Sequence, residues 1–166
     1  MATSAVRDNL RDSEKLTFRL IWLDRNMKSH GNRVRIKSFK EIDPDIEIFD
    51  SEDDCIDSIQ RRNQSKRDIH IIFIISGALS EAVIPRIQTY RCICAIFIFC
   101  THAADYEHLK YPKLRAIHTD RYELMDDIEM CITKFNERTS FSVFFDQQQS
   151  GKIMIDVNLS FIDFVI

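Results

Sequence analysis

The run IHIIFIIS, residues 69–76, constrains this chain more than any other stretch. It is almost wholly apolar and rich in β-branched side chains, and it lacks the alternation of a half-exposed strand. A strand of that kind must be covered on both faces, as in a parallel sheet between two helical layers. The rest of the chain supplies the layers, because strand-like runs alternate with amphipathic segments. The spacing predicts strands at Phe18–Asp24, Ile46–Phe49, Ile69–Ile75, Cys94–Cys100 and Leu114–His118. Between the first two lies a helix over Asn32–Ile42, with Val34, Ile36, Phe39 and Ile42 sharing a face and Asp43-Pro44 ending it. A second helix spans Ser51–Arg62, capped by Ser51 and burying Cys55, Ile56 and Ile59. The segment ALSEAVIPRIQTY predicts a third helix with Pro85 in its first turn, where a missing N–H costs least. A short helix is expected around Asp105–Lys110, stopped by Pro112. The last runs from Tyr122 to Phe135, with Leu124, Ile128, Cys131, Ile132 and Phe135 at helical spacing.

Five such units predict an α/β fold: a five-stranded parallel sheet, doubly wound in the order 2-1-3-4-5, in a receiver-like or flavodoxin-like three-layer α/β/α sandwich. The domain is expected to occupy 18–135, after a loosely ordered lead-in at 1–17 and before a linker and short appended segment at 136–166. In that last part QQQSG reads as linker and KIMIDVNLSFIDFVI as an added strand or hairpin. The apolar terminus Phe164-Val165-Ile166 is expected of a piece cut from a longer protein.

Charge narrows the partners. With 23 basic and 26 acidic residues the chain has no general electrostatic footprint for nucleic acid or an anionic membrane. The basic loop Arg61, Arg62, Lys66 and Arg67 has no interleaved aromatic on which bases would stack. The longest wholly apolar run, residues 92–100, is far shorter than the roughly 20 residues a membrane helix needs. The N-terminus has no signal core, so a cytoplasmic location is expected, and the five cysteines read as reduced core thiols.

In open α/β sheets ligands bind beyond the carboxyl ends of the strands, near the reversal of strand order. The candidate ligand-binding residues are therefore Asp24, Ser76, Gly77, Thr101 and His102. Receiver phosphorelay chemistry needs acidic residues for Mg²⁺, a phosphoacceptor Asp ending strand three, a hydroxyl ending strand four and a Lys ending strand five. Asp24 and Thr101 fill two of these places, but Ser76 stands where the acceptor belongs and His118-Thr119-Asp120 replaces the Lys. The three glycines, Gly31, Gly77 and Gly151, are isolated, so no Gly-rich nucleotide cradle exists. Ser29, Gly31 and Asn32 could offer a phosphate loop, with an ordinary surface loop favoured. Cys92 with Cys94, and Cys100 with His102, each place two metal-ligand types on one strand face. The pairs lie about 20 Å apart along the strand, too far to share an ion. No metal and no cofactor are expected, and no catalytic residue is assigned. Glu81 invites comparison with NAD-cleaving TIR domains, but it falls near the helix start, where the helix dipole already favours an acid.

The segments LIWLD, IIFIISGALSEAVIPRI and AIFIFCT resemble a receiver-like N-terminal module of invertebrate multidomain proteins. There it precedes arginine mono-ADP-ribosyltransferase domains or tetratricopeptide, kinesin-light-chain-like repeats. The resemblance spans roughly residues 18–135 and implies an accessory domain whose catalytic or scaffold partner lies C-terminal to it. The expected function is thus a non-catalytic, degenerate receiver-like module that contacts a protein partner or a neighbouring domain. Two other readings stand beside it: TIR-like NAD hydrolysis or nucleotide binding at the ends of strands one, three and four, and small-ligand sensing without turnover.

Overall fold

The computed structural model describes residues 17–148, with residues 139–148 as backbone only. The expected lead-in up to residue 16 and the strand-like segment 152–166 lie outside the described residues. Five strands, β1 (Thr17–Leu23), β2 (Glu47–Phe49), β3 (Ile69–Ser76), β4 (Ile93–Phe99) and β5 (Leu114–His118), form one parallel sheet in the order β2-β1-β3-β4-β5. Four helices cover it: α1 (His30–Ile42), α2 (Glu52–Gln64), α3 (Gly77–Ile87) and α4 (Arg121–Gln148). The expected doubly wound α/β sandwich is the observed one.

Alternation along the strands sorts the core into two layers. Ile21, Leu23, Ile71, Phe73 and Ile75 face α2 and α3, while Leu20, Trp22, Ile72 and Ile74 face α1 and α4. All of these side chains are buried, each worth about 1.5–3 kcal/mol of transfer free energy. The apolar run at residues 69–76 is therefore a central strand with no wet face. Trp22 meets Phe39 of α1 edge-on, with ring centroids 5.2 Å apart. Within α1, Val34 is exposed rather than on the expected apolar face, because five residues of helix turn it about 140° away from Phe39.

Two strands carry an extra residue. The β3–β4 register shifts between Ile71 and Ile72, whose partners are Ile93 and Ala95, and the β4–β5 register shifts between Ile96 and Phe97, whose partners are Leu114 and Ala116. The first bulge sends Cys94 to the α4 side while Cys92 stays with α2 and α3. The two thiols expected to share a face thus lie on opposite sides of the sheet.

Four helical expectations are corrected. Pro85 lies inside α3, two residues from its end at Ile87, because α3 starts directly from β3 at Gly77 with no intervening loop. By the same shift Glu81 is one turn into α3 and not in its first turn. The expected helix at Asp105–Lys110 is a 3-10 turn at Ala103–Asp105, followed by a second tight turn in which Leu109 donates its N–H to the Tyr106 carbonyl. Finally, α4 does not stop at Phe135. It continues to Gln148, since no Gly or Pro interrupts the chain between residues 121 and 148.

Candidate strand-end site

The fold brings Asp24, Ser76, Gly77, Thr101 and His102 to the carboxyl ends of β1, β3 and β4, where a ligand of this architecture would bind. Their surroundings differ from one to the next. Asp24 Oδ1 accepts the Asn26 amide at 2.8 Å, and its Oδ2 accepts from Asn32 Nδ2 at 3.1 Å. Asn32 is buried, and its side chain also donates to the Asn26 carbonyl at 3.0 Å and accepts from Arg35 Nη1 at 2.7 Å. Its amide in turn donates to Ser29 Oγ, which caps α1. Of the residues considered for a phosphate loop, Ser29 and Asn32 therefore bond to each other. The Asp24 carboxylate holds the β1–α1 connection in place.

Ser76 is the N-cap residue of α3, but its hydroxyl makes no capping bond. Within the first turn Ser80 Oγ donates to the Gly77 carbonyl at 2.7 Å. Gly77 is buried beneath Tyr106: a Cβ at this position would lie 2.4 Å from the Tyr106 ring carbons and 2.8 Å from the hydroxyl. No real Cβ approaches an aromatic ring so closely. The glycine is needed because the ring occupies the volume its side chain would take. Tyr106 is held there by the turn after β4, where its N–H donates to the Ala103 carbonyl at 3.0 Å.

Thr101 and His102 are both exposed, and their side chains meet at 3.1 Å between Oγ1 and Nδ1. Because β4 ends at Phe99, Cys100 and His102 do not share a strand face. The Cys100 Sγ lies 3.8 Å from the His118 carbonyl, and burial pushes this thiol up from its ordinary value, opposite to what a nucleophilic cysteine needs. Burial likewise raises Cys55 to about 12 and Cys94 further still, so these are inert core thiols. Among the described residues no group of His, Cys, Asp and Glu could hold a metal ion.

Where a receiver would carry its strand-five lysine, His118 is buried at the end of β5. Its Nε2 lies 2.9 Å from Asp127 Oδ2 of α4, close but out of line for a hydrogen bond, and its Nδ1 is 4.0 Å from Glu123. The imidazole faces α4 carboxylates rather than the ends of β1 and β3. Glu81 is exposed and pairs with His108 at 3.3 Å across the Tyr106 loop. Among the described residues, a surface hollow of about 700 Å³ lies beside β5 and the preceding loop, and another of about 400 Å³ lies at the end of α2, lined by Ser58, Arg62 and Arg67. Neither is lined by Asp24, Ser76 or Thr101.

Tyr106 is the residue that sequence reasoning missed. A tyrosine in a polar loop has no local signature, and only the tertiary fold shows that it covers Gly77. No helix among the described residues is long and apolar enough to cross a membrane. No known protein family matches the chain, and no curated protein or solved structure was found to match it.

Proposed function

We propose that this chain is a non-catalytic, degenerate receiver-like domain that acts through protein contact, as a regulatory or positioning module for a protein partner or a neighbouring domain. The observation that carries the reading is the Tyr106 ring packed on Gly77. The ring lies over the first residue of α3, next to Ser76, and so covers part of the corner where β3 meets α3. The engagement of Asp24 by Asn26 and Asn32 supports the same reading, because a carboxylate fixed in a loop is poorly placed to hold Mg²⁺. A protein-contact module needs neither group free.

The test is an amide-detected NMR titration of the whole chain with NAD, flavin mononucleotide, ATP and Mg²⁺, one at a time. The expected result is no saturable shift at Asp24, Ser76, Gly77 or Thr101. Saturable shifts clustered on those residues would overturn the adaptor reading and favour a nucleotide-binding or TIR-like one, with turnover assays as the next step.

A further inference from the structure

The end of the sheet opposite the strand-end corner concentrates positive charge around a hollow. That hollow, of about 400 Å³ at the end of α2, is lined by Ser58, Arg61, Arg62, Ser65, Arg67 and Ile69. Three guanidinium side chains line it and no carboxylate does, since Asp68 lies outside the lining although it follows Arg67 in sequence. Ile69 opens β3, and Ser76 at the other end of the strand is about 23 Å away. Neighbouring connections add two more cations. Burial raises the Cys92 thiol, and Lys113, Arg62 and Arg91 each oppose that rise.

Basic side chains at a helix C-terminus ordinarily answer the helix dipole and bond the last carbonyls. Arg62 does this. Its Nη1 donates to the Ser58 carbonyl at 3.2 Å and to the Ser58 hydroxyl, and its Nη2 pairs with Glu47 of β2. The Arg62 side chain is therefore fixed and its charge already offset. Arg61 and Arg67 are different. Both are exposed, and among the described residues neither guanidinium makes a hydrogen bond or an ion pair. Only the backbone N–H of Arg67 is engaged, donating to Ser65 Oγ at 3.2 Å. Two uncompensated guanidinium groups thus line one hollow beside a third that is held in place.

A guanidinium fork matches the oxygens of a carboxylate or a phosphate, and a phosphoryl group brings nearly two charges and three acceptor oxygens to such a cluster. The Ser65 hydroxyl accepts from Arg67 and keeps its own proton to donate. Half-buried Ile69 supplies an apolar wall against which the carbon stem of a phosphorylated side chain packs. Nucleic acid fits less well, because no aromatic side chain lines the hollow for bases to stack on. An anionic membrane fits less well too, since the chain as a whole carries a net charge of -3.

We propose that this hollow receives a phosphorylated side chain of a protein partner, bound by Arg61 and Arg67 and oriented by the fixed Arg62. The choice of a protein as the carrier rests on the adaptor reading above, whereas the anion chemistry does not. The test is an NMR titration of the full chain, following Arg61, Ser65 and Arg67, with an alanine peptide bearing one phosphoserine, the same peptide unphosphorylated, and inorganic phosphate. Saturable shifts are expected from the phosphopeptide and none from the unphosphorylated peptide. Inorganic phosphate, which has no stem to contact Ile69, should bind at least about threefold more weakly. The Arg61→Gln/Arg67→Gln variant should bind the phosphopeptide at least about tenfold more weakly with an unchanged urea midpoint, because neither guanidinium supports the fold. Absence of saturation, equal affinity for inorganic phosphate, or undiminished binding by the variant would each overturn the proposal. So would tighter binding to phosphatidylserine vesicles or to oligothymidine than to the phosphopeptide. These signals are separate from those of Asp24, Ser76, Gly77 and Thr101, so failure here and failure of the adaptor reading are distinguishable.

Discussion

At the scale of single residues, Gly77 and Tyr106 form a pair that only the folded state reveals. Gly77→Ala would force the Tyr106 ring out of its seat and is expected to cost about 1–3 kcal/mol by urea denaturation, the range for overpacking. Adding Tyr106→Ala should remove most of that penalty, so the double-mutant cycle should be strongly non-additive. If the two effects simply add, the ring does not depend on the glycine. Asp24→Ala leaves one donor of the buried Asn32 without its acceptor, while water can reach the exposed Asn26 amide, and should cost about 1 kcal/mol. His70 provides a pH signature. Burial lowers its pKa from the ordinary value near 6.5, with nearby Asp68 opposing the shift weakly. Below that value the unfolded chain takes up the proton more readily than the folded one, so stability is full above pH 6.5 and declines as pH falls toward the lowered value. His70→Gln should flatten that part of the stability–pH curve, checked by urea midpoints at several pH values. The positions of Asp24, Ser76 and Gly77 were legible in the sequence because strand ends are local. Their roles were not, because Asn32 and Tyr106 act on them from 8 and 29 residues away.

At the scale of elements, strand positions followed directly from the apolar runs, while helix ends did not. Pro85 shows why: proline fits a first turn by local rules, yet here α3 grows straight out of β3 and reaches the proline near its end. Pro85 is exposed, so water can reach the Glu81 carbonyl that proline leaves without a helical donor. Pro85→Ala restores that donor and is expected to raise stability by about 1–3 kcal/mol in thermal or urea unfolding. A loss instead would mean the ring's packing matters more than the missing bond. The opposite faces of Cys92 and Cys94 were equally unreadable. A bulge adds one residue to one strand only, and nothing in the spacing of two cysteines announces it.

At the scale of the molecule, the two core layers end where the sheet ends, but α4 does not. Its 28 residues extend about 42 Å, against about 26 Å for the eight residues of β3. Leu124 and Ile128 are buried against the sheet, whereas the helix beyond Phe135 has passed the strand starts. Amide exchange should divide the helix accordingly, with Leu124–Cys131 opening only on global unfolding and amides past Phe135 exchanging at least about tenfold faster. Uniform protection to Gln148 would show that something covers the far end. The Tyr106 seat on Gly77 also sets the terms for anyone wishing to put chemistry into this scaffold. Replacing Ser76 with a carboxylate would place a charge beside an aromatic lid and leave an incoming phosphate no room. Clearing the lid comes first, and the loop from Thr101 to Pro112 would then need rebuilding before any metal or phosphate could approach.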